Sequence, residues 1–317
     1  MSTLIIGAGG MIGRKLTERL REHELVLHDV VPFEGASVVS DLSAPGEAEK
    51  LIASRPQLIF HLAAVVSGEA EADFEKGYRV NLDGTRLLFE AIRKANEAAS
   101  YRPRVVFTSS IAVFGAPFPD AIGDEFLNAP LTSYGTQKAI GELLLSDYSR
   151  RGFFDGIGIR LPTVCVRPGK PNKAASGFFS GIIREPLSGQ EAVLPVPETV
   201  RHWFCSPRAA VGFLLHAARL STEQLGNRRN LSMPGVSATV GEQIEALRKV
   251  AGEKTARLIR REPDQTIMRI VEGWPRNFDP RRALSLGFQA DPSFEEIIRI
   301  HIADELQKNS APQRGRG

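Results

Sequence analysis

Apolar and polar residues alternate in two different rhythms along the first half of the chain. Short apolar runs with the length and composition of buried strands occur at 3–6, 25–28, 38–39, 58–61, 104–108 and 156–161. Stretches with helical spacing of apolar residues separate them, at 11–21, 45–53, 71–96 and 133–149. Because parallel strands are joined by crossover helices, this alternation predicts an α/β fold with a doubly wound parallel sheet.

The longest of these helices is predicted to run without interruption from 71 to 96. Its buried stripe has a period close to 3.6 residues. The stripe consists of Phe74, Tyr78, Leu82, Thr85, Leu88, Phe89 and Ile92.

The pattern changes after residue 161. Residues 162–207 are rich in proline, glycine and basic residues, show little periodicity, and are predicted to form a long functional loop. Helices are predicted at 209–219, 240–250 and 294–306, and a strand at 229–232 that returns to the sheet. We therefore predict a larger domain of residues 1–161 and 206–232, and a smaller discontinuous lobe of 162–205 and 233–317.

Composition limits the possible partners. The net charge of +3 gives no reason to expect nucleic acid or a membrane surface as a partner. The two cysteines, Cys165 and Cys205, have no metal-ligand spacing, so no metal site is predicted. The N-terminus lacks the features of a signal peptide and no apolar run is long enough to span a membrane, so we expect a cytoplasmic protein.

A glycine-rich turn follows the first strand and leads directly into a helix. Glycines at 7, 10 and 13 permit a tight turn, a close backbone approach to a pyrophosphate, and close helix–strand packing. The amides of Met11 and Ile12 would then meet the phosphates at the positive end of the helix. This arrangement predicts a dinucleotide site in a Rossmann-type sheet.

Asp29 lies 22 residues after Gly7, at the end of the second strand. A carboxylate there can accept hydrogen bonds from the adenosine ribose and repels a 2′-phosphate, so NAD is favoured over NADP. The alternative is a plain strand–helix turn with a capping aspartate.

Tyr134 and Lys138 have the spacing of neighbours on one helical face. A nearby cation favours the phenolate and should lower the pKa of the tyrosine. Ser110, at the end of the fifth strand, can bond the oxygen of a substrate that gains or loses hydride; alternatively it satisfies a loop amide. Asn81 lies on the buried helical stripe, where it bonds main chain or holds a water that connects Lys138 to solvent.

Together these motifs resemble the extended short-chain dehydrogenase/reductase family, also described as NAD-dependent epimerases/dehydratases, over the whole chain. The matching residues are Gly7, Gly10, Gly13, Asp29, Asp41, Leu42, His61, Leu62, Ala63, Ala64, Asn81, Ser110, Tyr134 and Lys138. The resemblance implies that Tyr134 is the catalytic acid/base, that Lys138 orients the nicotinamide ribose, and that Ser110 polarises the substrate oxygen. It further implies cofactor contacts from Asp41, Leu42, Leu62, Ala63, Ala64, Pro162 and Val164, and a homodimer.

The substrate expectation comes from the segments that differ from nucleotide-sugar enzymes. Residues 201–207 lack the acidic pair usual in those relatives. Residues 131–139, 160–171, 176–180 and 200–207 resemble instead a subgroup that oxidises a four-carbon sugar acid to its 2-keto acid. The expected substrate contacts are Ser67, Ser176, Gly177 and Arg201. Arg201 is expected to bind the carboxylate through two hydrogen bonds; alternatively, it pairs with Glu198.

Three functions remain open at this point. The first is an NAD-dependent sugar-acid dehydrogenase, with a uronate-type dehydrogenase as a variant of it. The second is a nucleotide-sugar epimerase or dehydratase, which would use the same cofactor and the same tyrosine–lysine pair. The third is a non-enzymatic NAD-binding protein, which would have no need of Tyr134, Lys138 and Ser110 together.

Overall fold

A computed structural model describes residues 1–169 and 175–307. Its strands are β1 (Ser2–Ile6), β2 (Glu24–Asp29), β3 (Val38–Val39), β4 (Leu58–His61), β5 (Arg104–Ser110), β6 (Ile122–Gly123), β7 (Asp155–Leu161), β8 (Thr163–Val164), β9 (Ala192–Leu194), β10 (Arg201–Cys205), β11 (Asn230–Ser232), β12 (Val236–Thr239), β13 (Ile259–Arg261) and β14 (Phe278–Asp279). Its α-helices are α1 (Met11–Arg19), α2 (Glu47–Ile52), α3 (Ser67–Ala72), α4 (Phe74–Gly77), α5 (Gly84–Ala99), α6 (Ser133–Arg150), α7 (Gly177–Leu187), α8 (Pro207–Arg219), α9 (Val240–Ala251), α10 (Glu253–Ala256), α11 (Gln265–Glu272), α12 (Arg281–Ser285) and α13 (Phe294–His301).

A seven-stranded parallel sheet forms the centre of the molecule, in the order β11-β7-β5-β4-β1-β2-β3. Apolar side chains cover both of its faces, as a parallel sheet requires. The predicted Rossmann-type fold class is therefore confirmed. The chain also returns to this sheet late in the sequence, because β11 pairs with β7 as the pattern predicted.

The uninterrupted helix predicted over 71–96 is wrong. The chain leaves helical geometry at Asp73, whose side chain caps α4 by accepting a hydrogen bond from the Lys76 amide. A π-helical segment, Tyr78–Asp83, then precedes α5. These changes rotate the start of the predicted stripe out of the core, so the Phe74 side chain is 59% exposed. Within the described residues, the ring of Tyr78 is the one aromatic ring that packs against it.

The lack of regular structure predicted over 162–207 is also wrong for the described part of that range, since residues 170–174 lie outside it; the functional role of the segment stays a prediction. It contains β8, α7, β9 and β10. Strands of two to five residues are too short for a periodic pattern to show. β10 pairs in parallel with β8 and antiparallel with β12, which makes a second sheet beside the main one.

The second sheet has its own apolar core. Phe179 of α7, Phe204 of β10, Ile244 of α9 and Ile297 of α13 are among its buried members. Its buried members lie within the ranges 162–205 and 233–317, and the division of the chain into two lobes stays a prediction. Within residues 1–169 and 175–307, no helix combines the length and apolar character needed to cross a membrane.

Candidate active site

The carboxyl ends of adjacent strands bring three predicted loops to one edge of the main sheet. β1 ends at Ile6, which pairs with His28 of β2 and His61 of β4. The Leu62 amide donates a 2.8 Å hydrogen bond to the Ile6 carbonyl oxygen. Because β5 runs beside β4 and ends at Ser110, the glycine turn, the loop after β4 and Ser110 lie along the same edge. Ligands of open α/β sheets bind at such an edge.

Two glycines of the turn after β1 are required by the packing of the chain itself. Gly7 has φ of +89°, and a Cβ atom there would lie 2.7 Å from the Ala63 nitrogen. A Cβ at Gly13 would lie 2.2 Å from the Gly7 carbonyl oxygen. At Gly10, in contrast, the closest atom to a Cβ would be that same oxygen at 3.4 Å. The chain thus leaves the backbone of Gly10 open to a ligand, as a pyrophosphate requires.

Helix α1 presents an anion site to this open space. It begins at Met11, and no side chain among the described residues caps its first turn. The amides of Met11 and Ile12 and the positive end of the helix dipole therefore favour a negatively charged group. This donor set fits the pyrophosphate of NAD.

Asp29 holds the same turn in place. Its Oδ2 accepts a 2.9 Å hydrogen bond from the Gly9 amide, and its Oδ1 accepts one of 3.1 Å from the Val31 amide. Asp29 thus binds amides of the turn before α1 and does not cap the helix itself, which the alternative interpretation expected it to do. Each carboxylate oxygen still has a lone pair available for a ribose hydroxyl, so these hydrogen bonds do not exclude cofactor recognition.

The pair Asp41-Leu42 combines a charged and a buried residue. Asp41 accepts hydrogen bonds from the amide and hydroxyl of Ser43 and forms an ion pair with Arg79. Burial raises the pKa of Asp41, but these hydrogen bonds and the charge of Arg79 lower it by more, so the net shift of the pKa is downward. Leu42 is buried in the core, where it lies against Gly84.

Lys138 is buried beside the predicted catalytic tyrosine. It is 2% exposed, and its Nζ donates a 2.8 Å hydrogen bond to the carbonyl oxygen of Thr108. Nζ lies 4.9 Å from the ring centre of Phe107 and 5.8 Å from that of Tyr134. Burial lowers the pKa of Lys138 to about 8, against the opposing negative charge of Glu142.

Tyr134 is half-buried in the first turn of α6. Burial raises the pKa of its phenol, while a hydrogen bond with Ser110 and the positive charge of Arg167 lower it. The net shift is upward, opposite to the direction expected from the lysine alone. Ser110 also accepts a 3.1 Å hydrogen bond from the Ala112 amide, so it satisfies a loop amide and contacts Tyr134 as well.

A glycine next to the tyrosine sets the approach of α6 to the loop after β5. A Cβ at Gly135 would lie 2.1 Å from the Ala112 carbonyl oxygen. Thr132 caps the helix by accepting a 3.1 Å hydrogen bond from the Gly135 amide. The missing Cβ lets helix and loop touch, and this contact places Tyr134 against Ser110.

Glu142 connects the same helix to the strands beneath it. It is 1% exposed and binds Arg160 through two hydrogen bonds of 2.8 and 2.7 Å. It also accepts hydrogen bonds of 2.5 Å from Ser109 and 2.9 Å from Asn128. Glu142 lies one helical turn beyond Lys138 on the same face, so this network fixes the helix that carries the lysine.

The amide of Asn81 bonds main chain and one side chain. Its Oδ1 accepts a 2.8 Å hydrogen bond from the Val65 amide, and its Nδ2 donates to the Val65 carbonyl oxygen at 3.1 Å. Nδ2 also donates to Gln137 Oε1 at 2.7 Å. Asn81 therefore ties the loop after β4 to α6, as one of its two predicted roles expected.

The predicted cofactor and substrate residues outside these motifs occupy three separate elements. Ser67 is the first residue of α3. Pro162 and Val164 are buried on either side of Thr163, where β8 meets β10. Ser176 immediately precedes α7, and Gly177 is its first residue.

Arg201 begins β10 and has partners on β12 and α9. It forms an ion pair of 3.3 Å with Glu242 and donates a 3.3 Å hydrogen bond to the Ser237 carbonyl oxygen. The alternative partner expected from the sequence, Glu198, pairs with Arg261 instead. A guanidinium held in this way is less available to a substrate carboxylate.

Sequence reasoning missed Gly135, Glu142 and Arg167. The first two had a local signal: Gly135 follows the tyrosine directly, and Glu142 continues the four-residue spacing of Tyr134 and Lys138. Arg167 lies within residues 160–171, which share the resemblance to the sugar-acid subgroup, but that segment gives no reason to choose it over Arg160.

Known proteins resemble this chain over most of its length. The sequence model of the family described as "NAD dependent epimerase/dehydratase family" matches residues 3–224. A D-erythronate dehydrogenase from Cupriavidus necator is 48% identical, covering 96% of this chain and 98% of its own length. A D-erythronate dehydrogenase from Haemophilus influenzae is 42% identical, covering 96% and 100% respectively. A solved structure described as a nucleoside-diphosphate-sugar epimerase from Agrobacterium tumefaciens is 68% identical, with a TM-score of 0.93, covering 97% of this chain and 95% of that one.

Proposed function

The chain belongs to the NAD-dependent epimerase/dehydratase family, and we propose that it oxidises D-erythronate to 2-dehydro-D-erythronate. The expectations of an oxidoreductase and of NAD as its cofactor are confirmed. The observation that carries the choice of substrate is the similarity to two D-erythronate dehydrogenases along almost the whole chain.

Three side chains at the sheet edge suit this reaction. Ser110 would bond the hydroxyl oxygen on C2, and Tyr134 as phenolate would remove its proton. The positive charges of Lys138 and Arg167 would favour that phenolate against the burial that raises the pKa of the Tyr134 phenol. NAD, when bound, accepts the hydride that leaves C2. The products are the 2-keto acid, NADH and one proton, so atoms and electrons balance.

The glycine turn and its neighbours would hold the cofactor. The amides of Met11 and Ile12 would meet the pyrophosphate, and Asp29 would accept hydrogen bonds from the adenosine ribose. Further contacts would come from residues that follow the carboxyl ends of the strands, including β7. They are Asp41, Leu42, Leu62, Ala63, Ala64, Pro162 and Val164.

The remaining predictions on the site and the assembly also belong to this proposal. Ser67, Ser176 and Gly177 would contact the substrate, and Arg201 stays a candidate that is tested below. We further propose a homodimer, on the basis of the family resemblance, and a cytoplasmic location, on the basis of the sequence features. Sedimentation at micromolar concentration should give twice the mass of one chain, and a stable monomer would contradict this.

A nucleotide-sugar epimerase is the second candidate, because a relative of 68% identity is described as a nucleoside-diphosphate-sugar epimerase. The sequence of residues 201–207 disfavours it, since the acidic pair usual in such enzymes is missing.

Absorbance at 340 nm distinguishes the two activities. The purified protein should form NADH from NAD with D-erythronate, and kcat/KM should exceed that for other sugar acids of four to six carbons, including uronates. UDP- and dTDP-sugars are tested as the alternative substrates. An epimerase converts them without net formation of NADH. Epimerisation of a nucleotide sugar, with no NADH from any acid, would overturn the proposed function.

A further inference from the structure

Arg167 lies in a backbone segment that is held by hydrogen bonds to α7. It follows β8, and β7 before it ends at Leu161, which pairs with Ser110. The Arg167 amide donates a 3.0 Å hydrogen bond to the Ser180 hydroxyl, and its carbonyl oxygen accepts one of 2.7 Å from Arg184. Both partners belong to α7, so the segment is fixed from the side of the smaller lobe.

The charge of Arg167 has no carboxylate partner within the described residues. Its Nε donates to the Val164 carbonyl oxygen at 3.2 Å, and within 1–169 and 175–307 its terminal nitrogens Nη1 and Nη2 have no acceptor. The other arginines of this region are paired: Arg160 with Glu142, Arg184 with Glu185, and Arg201 with Glu242. Arg167 is half-buried, and removing a cation from water without a counter-charge is unfavourable. Among the described residues nothing occupies these two donors, whose fork geometry suits an anion.

The guanidinium acts electrostatically on the reaction centre. Its positive charge opposes the burial that raises the pKa of the Tyr134 phenol, and it adds to the burial that lowers the pKa of His202 on β10. Arg201, in contrast, makes no such contribution to Tyr134 within the described residues. Arg167 is thus the arginine whose charge reaches the catalytic phenol from the smaller lobe.

The chemistry of the substrate requires an anion site at this place. In a 2-hydroxy acid the carboxylate carbon is bonded directly to C2, the carbon that loses hydride. A residue that binds this carboxylate must therefore lie next to the group that takes the proton from the C2 hydroxyl. An anchor at a distance would suit the phosphate of a nucleotide sugar but not a small acid.

We propose that Arg167 binds the substrate carboxylate through Nη1 and Nη2 and so determines specificity for 2-hydroxy acids. Two parallel hydrogen bonds fix both the position and the orientation of a carboxylate. This inference rests on the proposed sugar-acid dehydrogenase function, which it deepens by assigning the acid-binding residue.

The test compares D-erythronate with its uncharged amide, D-erythronamide, in wild type and Arg167→Gln. For turnover, kcat/KM is measured with saturating NAD; for binding, D-erythronate is titrated by calorimetry into the NADH-bound protein, where hydride cannot be transferred. Arg167→Gln should weaken both readouts for the acid roughly 10- to 100-fold. The amide should change less than about 3-fold, because it lacks the charge that the fork recognises.

A matched control and a competing variant complete the design. Arg261→Gln removes an exposed arginine of the same lobe that pairs with Glu198, and it should leave acid and amide unchanged. Arg201→Gln tests the anchor expected from the sequence. A selective loss of acid binding in Arg201→Gln rather than in Arg167→Gln would overturn the proposal.

Two further outcomes are informative. If Arg167→Gln impairs acid and amide equally, Arg167 only tethers the Val164 carbonyl and the proposal is wrong. If Arg167→Gln no longer binds NADH, it has lost its fold, and Arg167→Lys takes its place in the test. Lysine keeps the positive charge but lacks the two parallel donors of the guanidinium, so Arg167→Lys should still lose affinity for the acid and not for the amide. Wild type that forms no NADH from any acid overturns the proposed function, whereas equal acid binding by wild type and either Arg167 variant overturns the role of Arg167 alone.

Discussion

The ammonium of Lys138 donates a 2.8 Å hydrogen bond to the carbonyl oxygen of Thr108, two residues before Ser110. This bond joins the helix that carries Tyr134 to the strand that carries Ser110. It also places a charged group in an almost fully buried position, where burial lowers its pKa to about 8. The positive charge that the proposed reaction uses therefore lowers the folding stability at this residue.

We predict that the stability advantage of Lys138→Met over wild type depends on pH. The lysine pKa is about 8 in the folded chain and near 10.4 in the unfolded chain. Between these pH values Lys138 is protonated in the unfolded chain and largely neutral in the folded chain, so the unfolding free energy of wild type increases as pH rises. Below pH 8 the lysine is charged in both states, and the full free-energy cost of burying its charge is present. From pH 7 to pH 10.5 the difference in unfolding free energy should move in favour of wild type by about 3 kcal/mol. Urea unfolding of both proteins at several pH values measures it; a constant difference would contradict it.

Tyr134→Phe should lower kcat by about 10²–10⁴-fold and leave NAD affinity nearly unchanged, because the ring stays while the transferable proton is lost. Tyr148→Phe is the matched control on the same helix, since the Tyr148 hydroxyl bonds Glu90 and lies outside the proposed site. Steady-state rates and NADH fluorescence titration give the two quantities. Near-normal turnover by Tyr134→Phe would show that another group takes the proton.

Asp29 should make the enzyme prefer NAD to NADP, measured as kcat/KM for each cofactor. The suitable variant is Asp29→Asn, because it removes the charge that repels a 2′-phosphate and keeps an oxygen for the Gly9 amide. Its preference for NAD should be smaller than that of wild type. Asp29→Ala removes this acceptor as well, so it should also weaken binding of both cofactors. A wild-type preference for NADP would refute the assignment.

Glu142→Gln should destabilise the protein by about 3–5 kcal/mol, because it leaves the charge of Arg160 without its buried partner. Asp147→Asn, which breaks an exposed ion pair with Arg150 on the same helix, should cost less than about 1 kcal/mol. Thermal unfolding of both variants provides the comparison. In addition, Glu142→Gln should lower the pKa of Lys138 further, since the charge of Glu142 raises it. Equal unfolding midpoints for the two variants would argue against this role of Glu142.

The structure also explains why some long-range features escaped prediction. The break at Asp73 depends on a single capping side chain and on a π-helical segment, and neither interrupts the apolar spacing. The strands β8 and β9 are stabilised by their pairing with β10 and β13, so their own few residues carry little signal. In both cases the competing influence is tertiary, whereas periodicity reports only on neighbours along the chain.

Local residue order by itself determined the parallel sheet, the glycine turn, the position of Asp29 and the spacing of Tyr134 and Lys138. Each follows from steric limits or repeat lengths that act over a few residues. Only the tertiary structure decided which arginine is available to an acid. Arg201 and Arg167 have the same chemistry, but β12 and α9 bring Ser237 and Glu242 to Arg201, while the terminal nitrogens of Arg167 have no acceptor within the described residues. Such a choice depends on contacts between segments far apart in the chain, and no local pattern encodes it.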